Sequence, residues 1–95
     1  MHKKAIPPLA LVEQTILVAY RSGKVRTTTP RIVPAHAHLM SLILSGVVGE
    51  AEHTAIRNIG DHKAIVAWME RILTIANVPY MERGSGKYRM VRRTA

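Results

Sequence analysis

The sequence predicts a mainly α fold that closes with a β-hairpin, and three observations carry this expectation. Apolar residues recur at helical spacing through three successive stretches between residues 35 and 77. Glycines at 46, 49 and 60 and a proline at 79 separate and close those stretches. A Gly84-Ser85-Gly86 tip then divides two short extended arms. The chain has 95 residues, 47% of them apolar and 21% charged, which is too apolar for a wholly disordered chain and enough for one modest core. A large multi-domain enzyme is excluded.

Taken in order, residues 1–8 form a flexible basic N-terminus in which Pro7-Pro8, followed by Glu13-Gln14, interrupts the apolar residues before a signal-peptide core can form. Residues 9–31 are an N-terminal extension with two readings. Leu9, Val12, Ile16 and Ala19 fit a helical stripe, whereas Thr15 to Tyr20, a Ser22-Gly23 turn and Val25 to Thr29 fit a hairpin. As a helix, this segment carries Leu11, Leu17 and Val18 as a second apolar patch, suited to a dimer contact or equally to the domain's own core.

From Pro34, the residues Leu39, Leu42 and Ile43, flanked by Met40 and Leu44, predict a helix over 35–45 that stops at Ser45-Gly46. A second helix spans 50–59, with Ala51, Ala55, Ile56 and Ile59 on one side and Glu50, His53 and Arg57 on the other, closed by Gly60. The third, 61–77, starts at Asp61 as N-cap and places Ile65, Trp68, Met69, Ile72, Ile75 and Ala76 on one stripe. Lys63, Ala67, Glu70 and Thr74 lie opposite, with His62, Val66 and Arg71 at the margins. In the hairpin over 78–92, alternation sends Tyr88 and Met90 one way and Lys87 and Arg89 the other.

Charge indicates a kind of partner. Fourteen Lys and Arg against six Asp and Glu leave a formal +8, which favours a polyanion. Lys3, Lys4, Arg21, Lys24, Arg26 and Arg31 against Glu13 give residues 1–49 a net +5. Arg83, Lys87, Arg89, Arg92 and Arg93 give residues 83–95 another +5. Between them, Arg57, Lys63 and Arg71 against Glu50, Glu52, Asp61, Glu70 and Glu82 leave −2.

Other classes are disfavoured by what the sequence lacks. Without cysteine there is no disulfide framework, thiolate zinc site or thiol nucleophile, which fits a reducing cytoplasm. His36 and His38 at i, i+2 do not share a helix face, and His53 and His62 complete no cluster, so no metal is expected. No Ser-His-Asp set or carboxylate pair is discernible, and Gly84-Ser85-Gly86-Lys87 sits in a hairpin rather than before a helix, so no cofactor and no enzyme are expected. The longest apolar run, Leu39 to Val48, is broken by Ser41, Ser45 and Gly46 and falls short of the ~20 residues that span a bilayer, so no membrane is expected. Tyr20, Tyr80 and Tyr88 are too scattered for a stacking platform, and Trp68 on the apolar stripe reads as core.

Two short helices, a tight joint at Gly60-Asp61, a longer amphipathic helix and a Gly-tipped basic hairpin follow an order that resembles the winged helix-turn-helix family over residues 35–92. Ile65, Met69, Ile72 and Ile75, with Val78 entering the next strand, match the apolar spacing of that family's recognition helix in bacterial repressors. The resemblance implies a winged-helix domain with helix 61–77 in the DNA major groove and hairpin 78–92 on the backbone. It implies Lys63, Ala67, Glu70 and Thr74 at base edges: Lys63 donating to guanine, Glu70 accepting from the cytosine amino group, and the Ala67 and Thr74 methyls against thymine. It also implies Arg83, Lys87 and Arg89 as hairpin contacts to phosphates, with Arg57 and Arg71 clamping flanking phosphates.

The chain departs from the family pattern in having no Arg or Asn on that face and in compressing the usual strand between the first two helices to Gly46-Val47-Val48-Gly49. The expected function is a cytoplasmic transcriptional regulator of bacterial or phage type that binds double-stranded DNA, with homodimerisation through residues 9–31 as an option. A rival reading keeps the scaffold but makes it a protein-interaction module, an inhibitor or adaptor of a nucleic-acid machine; the near-neutral middle supports that reading. A third attaches RNA through Lys3, Lys4, Arg92 and Arg93.

Overall fold

The computed structural model describes residues 5–25, 32–84 and 87–91, with residues 83, 84 and 87–91 described as backbone. The fold is mainly helical: α1 (Leu9–Arg21), α2 (Ala35–Leu44), α3 (Glu50–Arg57) and α4 (His62–Ile75) precede two short extended segments, β1 (Tyr80–Gly84) and β2 (Lys87–Val91). The backbones of β1 and β2 run antiparallel, with Glu82 opposite Arg89 and Arg83 opposite Tyr88.

Of the two conformations open to residues 9–21, the chain adopts the helix. Val12, Ile16, Ala19 and Tyr20 form its buried side, the i, i+4, i+7 repeat of an amphipathic helix. Ser22-Gly23 is the helix stop rather than a hairpin turn. Gly23 takes φ +79, and the N–H groups of Gly23 and Lys24 donate to the carbonyls of Tyr20 and Ala19, a Schellman closure that the missing Cβ permits. α1 packs on α3 and α4, while α2 packs on α4 and β1. The buried side of α1 therefore shares one core with Leu42 of α2, Ile56 of α3 and Met69, Ile72 and Leu73 of α4.

The stripe of α4 differs from the expected one at its C-terminal end. Trp68, Met69, Ile72 and Leu73 are buried, whereas Ile75 is 51% exposed and Ile65 only half-buried. α4 lies between α1 on one flank and α2 with β1 on the other, so its buried arc extends to Leu73, which the expected stripe omitted. At the start of α4 the cap is as expected: Asp61 Oδ1 accepts from the Ala64 N–H at 2.9 Å, a contribution of about 1 kcal/mol. At its end Asn77 takes φ +61, and the N–H groups of Asn77 and Val78 donate to the carbonyls of Thr74 and Leu73. This Schellman turn, with Asn in the left-handed position, reverses the chain into β1. There the Met81 N–H donates to the Val33 carbonyl at 3.0 Å and anchors β1 beside the start of α2.

Trp68 is 3% exposed, and its indole N–H donates to Glu13 Oε2 at 2.7 Å. The same carboxylate oxygen lies 3.9 Å from Arg71 Nη2, so a single acid on α1 serves two residues of α4. A buried indole N–H without an acceptor costs about 1–3 kcal/mol, which makes Glu13 a docking residue for α1 rather than a solvated charge.

Tyr20 of α1 and His38 of α2 meet edge to face, with ring centroids 6.4 Å apart. Burial pushes the Tyr20 hydroxyl up to about 12 and lowers His38 below its ordinary 6.5, although a hydrogen bond to the Pro79 backbone acts in the opposite sense on the histidine. Protonating His38 would place a charge beside α1 in the core. Because its folded-state pKa is depressed, the unfolded chain binds more protons below pH 6.5; the stability present above that value is lost as pH falls toward the folded pKa. His38→Gln is expected to flatten the part of a urea-midpoint profile that lies below pH 6.5. An unchanged slope would mean that other groups set it.

Candidate functional site

The candidate site is the α3–turn–α4 unit with the basic segment that follows it. α3 starts at Gly49, whose N–H donates to Glu52 Oε1 at 3.1 Å, the return half of a capping box. Its C-terminal end presents exposed Arg57 and Asn58, and Gly60-Asp61 then turns the chain into α4. Gly60 takes φ +153, and a Cβ built there would stand 3.3 Å from the Ala64 Cβ, so the turn is tight on both counts.

On α4 the structure brings together three of the four residues expected at base edges. Lys63 and Ala67 are exposed, and with Val66 and Glu70 they line one shallow depression on the outer face. Glu70 is half-buried at the edge of that face, where it also borders the crevice containing Pro34, His36, His62 and Met81. Burial raises its pKa, and the neighbouring Glu82 carboxylate adds to the effect.

Thr74, half-buried like Glu70, lies one turn beyond it on α4. Its hydroxyl donates to the Glu70 carbonyl at 2.9 Å and lies 3.3 Å from Tyr80 Oη, so it ties the end of α4 to β1. The reason is the Asn77 turn, which folds Tyr80 back onto the last turn of α4. Arg71 is exposed on the flank toward α1 and leans on Glu13, so its guanidinium is already beside a carboxylate. Arg57 is exposed at the end of α3.

Arg83, Lys87 and Arg89 lie on the paired segments after α4, where the register sets Gly84 opposite Lys87 and Glu82 opposite Arg89. Lys87 and Arg89 therefore occupy one parity of the ladder and Arg83 the other. Arg92 and Arg93 lie outside the described residues.

Set against family models, curated proteins and solved structures, the chain matches none. Its functional reading therefore rests on geometry and charge. Among the described residues no helix is long and apolar enough to cross a membrane, and no three His, Asp or Glu side chains gather as a metal site. The residue that sequence reasoning missed is Glu13. Its signal was available: it is the one acid among residues 1–49, and a tryptophan on an otherwise apolar stripe needs an acceptor for its indole N–H.

Proposed function

We propose that this chain is a DNA-binding regulator of the winged helix-turn-helix kind, with α4 as the groove helix and the β1–β2 segment as a backbone-contacting wing. One observation carries the reading: a helix pair joined by a tight Gly60-Asp61 turn presents Lys63 and Ala67 outward on its second helix, directly before a segment with five cations and no acid after residue 82. An α-helix fits the B-form major groove, and cations on the following segment suit the phosphates beside it. In this mode Lys63 reads a base edge, Ala67 offers a methyl contact, and Glu70 sits at the margin where it discriminates against phosphate on its side. Arg57 is the flanking phosphate contact, with Arg71 in that role only when it leaves Glu13. The setting this implies is intracellular, where the +8 charge drives a salt-dependent, sequence-independent component of binding.

Fluorescence anisotropy of labelled random-sequence duplex DNA, titrated from low to physiological salt, tests the reading. Binding with log K falling linearly against log salt is the expected result. Lys63→Ala is expected to leave that slope nearly unchanged and to cost about 1–3 kcal/mol on a selected site only. An absence of binding at low salt would overturn the proposal.

A further inference from the structure

On the side of α1 turned away from α4, a groove of about 370 Å³ runs between the helix and the Gly46-Val47 turn. Leu11, Thr15 and Val18 form its α1 wall, Ala19 its floor, and Val47 and Lys24 its far side. Leu11 and Val18 are 58% and 57% exposed, a large apolar exposure for a helix whose opposite side is in the core. Two of its polar side chains are satisfied by the helix itself: the Thr15 hydroxyl donates to the Leu11 carbonyl at 2.9 Å and the Ser22 hydroxyl to the Ala19 carbonyl at 3.3 Å. Gln14 and Lys24 complete the polar lining.

Charge selects the occupant. Among the described residues no carboxylate lines the groove; Glu13 is on the other side of α1, held by Trp68 and Arg71. Lys24 lines it, and exposed Arg21 flanks it on the last turn of α1. A second copy carries its acids on α3, but the apolar side of that helix, Ala55 and Ile56, is already buried in its own core, and nucleic acid gains nothing from an apolar wall. We infer that this groove docks an acidic amphipathic helix of a partner protein, whose apolar anchors enter between Leu11, Val18 and Val47 while its carboxylates meet Lys24 and Arg21. Leu11, Thr15 and Val18 are spaced i, i+4, i+7, the repeat that a docked helix would mirror. The groove lies across α1 from α4, so occupancy leaves Lys63 and Ala67 open. The inference stands whether or not α4 binds DNA.

The test uses the full chain and a fluorescein-labelled peptide of about 16 residues, with leucines at i, i+4 and i+7 and glutamates elsewhere. Two control peptides accompany it: a scramble of the same composition, and a version with lysine replacing glutamate. Saturable binding of the first peptide alone is expected, weakening with salt and several-fold with Lys24→Glu. Val18→Asp, at an exposed site, is expected to weaken it by about tenfold or more with the melting temperature retained. No saturable binding overturns the inference, as does equal binding of the scramble or of the lysine peptide; these comparisons on the unaltered chain hold even if a variant fails to fold. Sedimentation equilibrium showing a dimer that Val18→Asp dissociates would assign the groove to a second copy and equally overturn it.

Discussion

Leu73→Ala is expected to lower the free energy of unfolding by about 2–5 kcal/mol, whereas Ile75→Ala, two residues on, costs less than about 1 kcal/mol. Both residues are branched aliphatics on the same turn of α4, and propensity does not separate them by more than a few tenths of a kcal/mol. Burial does: Leu73 is 0% exposed and Ile75 51%. Truncating Leu73 removes transfer free energy and leaves a cavity between α4 and its neighbours, while truncating Ile75 leaves a smaller side chain in water. A domain of this size has a total stability of about 5–15 kcal/mol, so the Leu73 variant loses a large share and can become partly unfolded at ambient temperature. Trp68, the single tryptophan and nearly fully buried, reports the transition directly. The measurement is the urea midpoint followed by its fluorescence, with the slope unchanged. Equal midpoint shifts for the two variants would mean that the α4 arc is not the one described above.

Replacing Arg83, Lys87 and Arg89 together with Ala is expected to produce the largest loss of DNA affinity. If each meets a phosphate, the dependence of log K on log salt becomes shallower by about 2.7, because each neutralised phosphate contributes about 0.9 to the slope. Between 50 and 200 mM salt, the advantage of the unaltered chain over this variant then shrinks roughly fortyfold. On the same count the Lys87, Arg89 pair accounts for about 1.8 of this and Arg83 for about 0.9. Circular dichroism should leave the helical signal intact, since α1 to α4 do not include these residues. A salt slope identical to that of the unaltered chain would remove this segment from the binding surface and leave Lys63 and Arg57 to account for any affinity.

Much of the helical architecture is legible in the sequence because its signals are local. The Asp61 cap and the Gly60 turn depend only on neighbours within a turn or two, and each is found where the residue types put it. The spacing of Ala55 and Ile56, or of Leu42, gives the buried side of a short helix in the same way. The outer face of α4 is legible in part: Lys63, Ala67 and Glu70 are neighbours as their spacing requires. The contact of Thr74 with Tyr80 is not legible in that way, because it comes from a reversal of the chain at Asn77 rather than from α4 itself.

The helical stretches between 35 and 77, their caps and stops, the basic charge at both ends and the absence of thiol chemistry are all legible in the order of residues alone. These follow from periodicity, capping groups and composition, none of which requires a partner element. The tertiary structure decided three things that periodicity could not. It made 9–21 a helix, since Thr15 to Tyr20 before a Ser22-Gly23 turn also suits a strand until α3 and α4 supply a surface that buries Val12, Ile16 and Ala19 together. It chose Leu73 over Ile75 for the core, because a helix wedged between two flanks buries a wider arc than one face. It paired Glu13 with Trp68 across 55 positions of sequence, since a carboxylate's value as an acceptor depends on what packing brings beside it.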